Sequence, residues 1–137
     1  MKTNFVAMVL SSMDWLALAD YSFLIVHTAL ILFNLLGWIS KFTRKWHLYS
    51  ISLTLASWFF LGIWFGWGYC IFTDWHWEIL RRKGVGDLPN SYIDYLFQRL
   101  LGLQPSAKLI EISTLLLTLS AFVLSLWVNF RNESGRR

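Results

Sequence analysis

Asp20, His27 and Asn34 stand at successive seven-residue steps inside an apolar stretch that runs from Trp15 to Ile39. Seven residues make almost two turns of α-helix, so the three side chains share one face and drift only about 20° per step. A carboxylate, an imidazole and a carboxamide on one stripe could relay protons, hold a metal centre such as heme, or hydrogen-bond neighbouring helices. At membrane depth such groups are costly unless they face protein or water. His27 is the strongest chemical candidate, because an imidazole titrates near neutral pH and ligates iron. Hydrogen-bond satisfaction is nevertheless the commoner fate of a buried polar group. Asp20 and His27 lie about 10 Å apart along the helix, which excludes direct contact between them. His47 offers a second imidazole, but the depths disagree. With a turn near Thr43, His27 lies about 24 Å from the turn and His47 only about 6 Å. One iron does not easily join them.

The chain's one cysteine, Cys70, has Thr73, Asp74 and His76 close in sequence. A Cys/His pair is the minimum for an activated thiolate, and thus for a membrane thiol enzyme. No oxyanion-hole signature or glycine-rich loop accompanies it, so a packing cysteine at a helix end is the favoured reading. A lone cysteine excludes an intrachain disulfide and a multi-thiolate metal site. No Walker motif, dinucleotide fingerprint or metal-ligand spacing is present. No cofactor is therefore expected, heme at His27 being the one alternative.

The elements that must position these residues follow from hydropathy. Hydrophobic residues make up 56% of the 137, including 9 Trp and 11 Phe, and the mean hydropathy is +0.49. Such values suit membrane helices better than a soluble domain. Spans are expected at about residues 15–39, 47–72 and 109–130, each long enough to cross a bilayer. Trp15, Trp38, Trp46, Trp75 and Trp127 sit near their ends as interfacial anchors, and nearly every Trp reads as an anchor or lipid-facing filler. Residues 1–12 hold an apolar run too short for a signal peptide and read as retained. Residues 40–46 form a tight basic turn, making the first two spans an antiparallel hairpin.

Between the second and third spans, residues 75–102 read as two short amphipathic helices lying flat at the interface as a roof. Trp75, Ile79 and Leu80 form the apolar face of the first, with Glu78, Arg81, Arg82 and Lys83 on or beside the polar side, and Gly84 and Gly86 stop it. Ser91 and Asp94 give a capping-box-like start to the second. Its apolar face is Ile93, Leu96, Phe97 and Leu100. Hydroxyls at Ser50, Thr54 and Ser57, and the series Glu111, Thr114 and Thr118, read as interhelical glue. Gly62 and Gly66 give a small-xxx-small surface for close helix packing.

The net charge of +4 suits anionic head groups, and basic residues gather at the ends of apolar segments, which does not suit nucleic acid. Orientation is balanced. Lys41, Arg44, Lys45, Arg131, Arg136 and Arg137 oppose Lys2, Arg81, Arg82, Lys83, Arg99 and Lys108, six against six. Short, dense basic segments weigh most in the positive-inside rule, which places the first turn and the C-terminus in the cytoplasm.

Gly68-Tyr69-Cys70-Ile71-Phe72-Thr73, followed by an amphipathic stretch with Arg81, Arg82 and Gly84, resembles the domain-of-unknown-function 2784 family of small integral membrane proteins. Asp20 and His27 match that family's Asp and His seven residues apart, and Trp46-His47 its Trp-His entry to the second span. Ser91-Tyr92-Ile93 is similar to a downstream family segment. Cys70 to Thr73 matches a Cys-Pro-Leu-Thr signature, with Ile71 in place of Pro. His76 stands where the family often carries a Glu, so a role for that carboxylate falls to Glu78 or lapses. The resemblance covers Ala19 to the third span and implies a fold and a topology, with no biochemical activity attached.

Together these features give an all-α integral membrane protein of one domain: three transmembrane helices with an amphipathic roof, in a bacterial plasma membrane. The expected role is a non-catalytic accessory or interaction subunit, with lipid and other membrane-protein subunits as partners. The alternatives are a redox or proton-handling component using His27 and Asp20, and a thiol enzyme using Cys70.

Overall fold

A computed structural model of the chain describes residues 2–134; Met1, of the segment read as retained, and Arg136 and Arg137, of the charge balance, lie outside them. Helix α1 covers Lys2–Leu36. Helix α2, Arg44–Ala56, runs through a π turn at Ser57–Leu61 into α3, Gly62–Phe65. Then come α4, Ile71–Arg82, and α5, Tyr92–Leu96, which is prolonged by a second π turn at Phe97–Leu101. Helix α6, Ala107–Ser134, completes the order. There is no strand among the described residues. Three segments are long and apolar enough to cross a membrane: Met13–Leu36, Arg44–Phe65 and Ala107–Arg131. Large apolar side chains such as Leu18, Ile25, Leu53, Ile63, Leu116 and Val123 face outward. A helix can leave such a surface in hydrocarbon because its backbone groups are paired internally.

At one end of the bundle a polar lock holds the three long helices together. His47, fully buried, lies 2.8 Å from the Asn34 carbonyl through Nε2 and 2.8 Å from Ser125 Oγ through Nδ1. The carbonyl only accepts, so Nε2 donates to it and the Ser125 hydroxyl donates to Nδ1. The Asn34 carboxamide donates to Thr54 Oγ1 (2.9 Å) and accepts from Ser50 Oγ (2.7 Å). Asn129 donates to the Arg44 carbonyl at 3.2 Å, which sets the first turn and the C-terminal end of α6 side by side. Gly37 makes this approach feasible: an added Cβ would stand 2.7 Å from the Phe33 carbonyl oxygen and 2.9 Å from His47 Cδ2.

Three features depart from expectation. The second long helix stops at Phe65, not Phe72, because Gly66 takes φ +105°, a conformation open to glycine. Gly62 opens α3 and Gly66 caps it, so the two do not share a continuous helical face. The chain then folds back, so that the first of the two short helices packs lengthwise on α1 instead of lying flat across the span ends. Phe72 meets His27, and His76 stacks on Phe23 with ring centroids 5.7 Å apart. As numbers rise along α4 they fall along α1, so the two run antiparallel. Third, the buried face of α4 is His76, Trp77 and Leu80, with Trp75 exposed. Trp77 is a core residue, packed with Leu80, Tyr92 and Tyr95 against Leu24 and Ile31 of α1. In α5 the buried residues are Tyr92, Asp94 and Tyr95, while Leu100 faces out.

This topology fixes which ends share a side. Cysteine labels near Arg44 and near Arg131 should react from the same side of a sealed vesicle, and labels near Asp87 from the other. Opposite accessibility for the first two would mean that the chain crosses a different number of times.

Candidate functional site

Asp20 is almost fully buried and receives three side chains from elsewhere in the chain. Arg99, on the second π turn, reaches it with both terminal nitrogens, Nη1 to Oδ1 at 2.6 Å and Nη2 to Oδ2 at 3.2 Å. Lys83, just beyond α4, donates from Nζ to Oδ2 at 2.5 Å. His76 lies 2.9 Å from Oδ1 through Nε2. A two-pronged guanidinium contact is among the stronger charge-assisted pairings. The Tyr95 hydroxyl also accepts from Arg99 and its ring lies under the guanidinium, which fixes the arginine in place. A carboxylate taken out of water needs such partners, since the desolvation cost is several kcal/mol per ion, on the order of magnitude usual for buried charges.

The polar contacts continue past His76. With Nε2–H donated to Asp20, Nδ1 is an acceptor, and the Tyr92 hydroxyl donates to it at 3.0 Å. Burial pushes the Tyr92 phenol above its ordinary range, so the proton stays on the donor. Burial also holds the His76 imidazole below its ordinary range, with repulsion from Arg99 and Lys83 added, against the pull of Asp20. Two cations already outweigh one carboxylate there, and a third charge would be buried unpaired. The ring of Tyr92 lies against that of His27, with centroids 3.9 Å apart. His27 Nε2 is 3.8 Å from Cys70 Sγ, a weak contact, and its Nδ1 is buried with no partner among the described residues.

His27 and Cys70 line a cavity of about 1100 Å³. It lies between α1, the α2–α3 segment and α6, and the returning loops line its remaining side. Its walls carry Trp58, Trp67 and Trp77 together with Thr54, Thr73 and Thr114. Ser57 in the first π turn donates to the Tyr69 carbonyl at 2.9 Å, which ties the returning loop to the second long helix. A π turn widens a helix locally and often marks a functional region.

The residues singled out from the sequence divide into separate groups. Asp20 and His76 bond directly. His27 and Cys70 meet at the cavity, which Thr73 also lines, whereas Cys70 does not meet His76 as its thiolate partner. His47 belongs to the lock at the other end, where both its nitrogens are taken, and Asn34 joins that lock while also lining the cavity. Glu78 stays on the exposed side, paired with Arg82 at 2.9 Å and Arg81 at 3.6 Å. It therefore does not stand in for a carboxylate at position 76; His76 itself fills that place. Sequence reasoning passed over Lys83 and Arg99 as partners of Asp20, Tyr92 as the link to His27, and Ser125 as the partner of His47.

The family model described as "Protein of Unknown function (DUF2784)" matches residues 17–130, and the chain belongs to that family. No curated protein and no solved structure matches it.

The His76 arrangement has a pH signature. An unfolded histidine takes up a proton near pH 6.5, whereas the folded one resists until lower pH. Stability is therefore complete above about pH 6.5 and falls as pH drops below it, by up to about 1.4 kcal/mol per unit for one such group. SDS-driven unfolding in mixed micelles between pH 7 and pH 5.5 should show this fall, and His76→Gln, which keeps a donor and an acceptor, should make it shallower. Identical slopes for the two proteins would place the titration elsewhere.

Proposed function

We propose that this member of the DUF2784 family is a non-catalytic integral membrane protein that holds a small amphiphilic molecule in the cavity beside His27 and Cys70. One observation carries the reading. His27 and Cys70 stand with Trp58, Trp67, Trp77 and a few polar side chains in the wall of a cavity of about 1100 Å³. Pockets of this size with a few converging polar groups are the usual form of small-molecule sites. Asp20, Asn34 and His47 find their partners inside this chain, so these polar groups do not themselves call for a partner subunit. We place the protein in a bacterial plasma membrane with the first turn and the C-terminus in the cytoplasm, on the weight of Lys41, Arg44 and Lys45 in a short turn.

A proton-handling role keeps one observation in its favour, the hydrogen-bonded series from Asp20 through His76 to Tyr92. Tyr92→Phe removes its last link and leaves the cavity wall intact, so it separates transfer along the series from binding.

Native mass spectrometry tests the main reading on protein released from its own membranes in mild detergent. One small molecule per chain should be bound, and capping Cys70 with a bulky maleimide should displace it. A stoichiometric partner polypeptide in place of a small molecule would return the interaction-subunit reading.

A further inference from the structure

The chain as a whole is basic, with 12 Lys and Arg against 8 Asp and Glu. Its cavity is the reverse. Asp74, Asp87, Asp94 and Glu111 line it, half of the acidic residues in the chain, and no Lys or Arg does. The fold itself makes this separation. Lys83 and Arg99 are drawn to Asp20, and Arg81 and Arg82 pair with Glu78 on the outer side. Among the described residues, none of the four cavity carboxylates has a Lys or Arg within ion-pair distance.

Asp94 matters most among them, because it is only 9% exposed. Its recorded partner is the neutral carboxamide of Gln98, at 3.1 Å. A carboxylate largely out of water and without a counter-ion is costly, and a cation brought beside it relieves that cost. The facing walls suit such a cation. Trp58, Trp67, Trp77, Tyr69 and Tyr92 line the cavity, and aromatic faces attract positive charge. A cleft of one sign with low-dielectric walls also concentrates the opposite ion. His27, itself only 4% exposed, lines the same cavity, and its Nδ1 has no partner among the described residues.

We propose that the cavity binds an organic ammonium ion with an apolar body, its charged end at Asp94 and its body against the aromatic walls. This rests on the reading of the protein as a binding protein and assigns the charge of its ligand.

Three probes of one shape test it: 4-phenylbutylammonium, neutral 4-phenylbutanol and anionic 4-phenylbutyrate. Each is titrated into the full chain in zwitterionic nanodiscs, with empty nanodiscs as background and tryptophan fluorescence as the signal. The ammonium should bind at least tenfold more tightly than the alcohol, and the carboxylate more weakly than either. Asp94→Asn combined with Glu111→Gln should reduce the preference for ammonium over alcohol to less than threefold. If the alcohol or the carboxylate binds wild-type protein as tightly as the ammonium, the assignment of charge is overturned and the binding protein stands. If none of the three binds, the binding reading falls with it. The wild-type series decides between these outcomes even where the double variant does not fold.

Discussion

A carboxylate at Asp20, inside a helix apolar enough to cross a membrane, is the constraint on which the rest of the structure depends. Left alone it would be neutralised or would draw in water. The chain satisfies it with Lys83 and Arg99, which lie 63 and 79 residues away, and with His76. Those three groups sit on α4, just past its end, and on the second π turn. Their convergence on Asp20 therefore fixes the whole connection between the second and third long helices against α1. The aromatic cluster of Trp77, Tyr92 and Tyr95 packs the same connection against α1.

The cavity is a consequence of that docking. The second long helix stops at Gly66, and the chain returns to the level of His27 before α4 begins. The return creates a space bounded on one side by α2 and α3 and on the other by the docked loops. Because the basic residues of the loops are spent on Asp20 and Glu78, the acidic ones are left facing the space. One buried anion thus sorts the charges of the connection into a paired outer set and an unpaired inner one. Tyr92 joins the two regions, with its hydroxyl on His76 and its ring on His27.

Much of the framework was legible because it depends on local pattern. Three long apolar helices and the short helices between the second and third follow from hydropathy and periodicity, whereas the first turn lies at residues 37–43, earlier than the expected 40–46, because the second helix already begins at Arg44. The burial of Asp20, His27 and Asn34 follows from their shared face. What escaped was long-range pairing. Seven-residue periodicity puts Asp20 on a stripe, but no local rule says which of the basic residues on its side of the bundle will reach it. Ser125 could have been found: Glu111, Thr118 and Ser125 repeat at seven-residue steps on α6, the counterpart of the stripe on α1. The face of α4 was misjudged because Trp75 and Trp77 are equally apolar, and only the docking on α1 decides which one is buried. The end of the second helix was set too late because Gly66 and Gly68 were read as part of an apolar run and not as its stop.

A double-mutant cycle between Asp20 and Arg99 measures the central interaction directly. Asp20→Asn, Arg99→Gln and the combined variant are compared with the wild-type chain by reversible unfolding in mixed micelles. Groups that share one buried network should be coupled by about 1–3 kcal/mol, so that the second substitution costs little once the first is made. Additive losses, within about 0.5 kcal/mol, would show that Asp20 does not hold the connection in place, and the account of the cavity would lose its foundation.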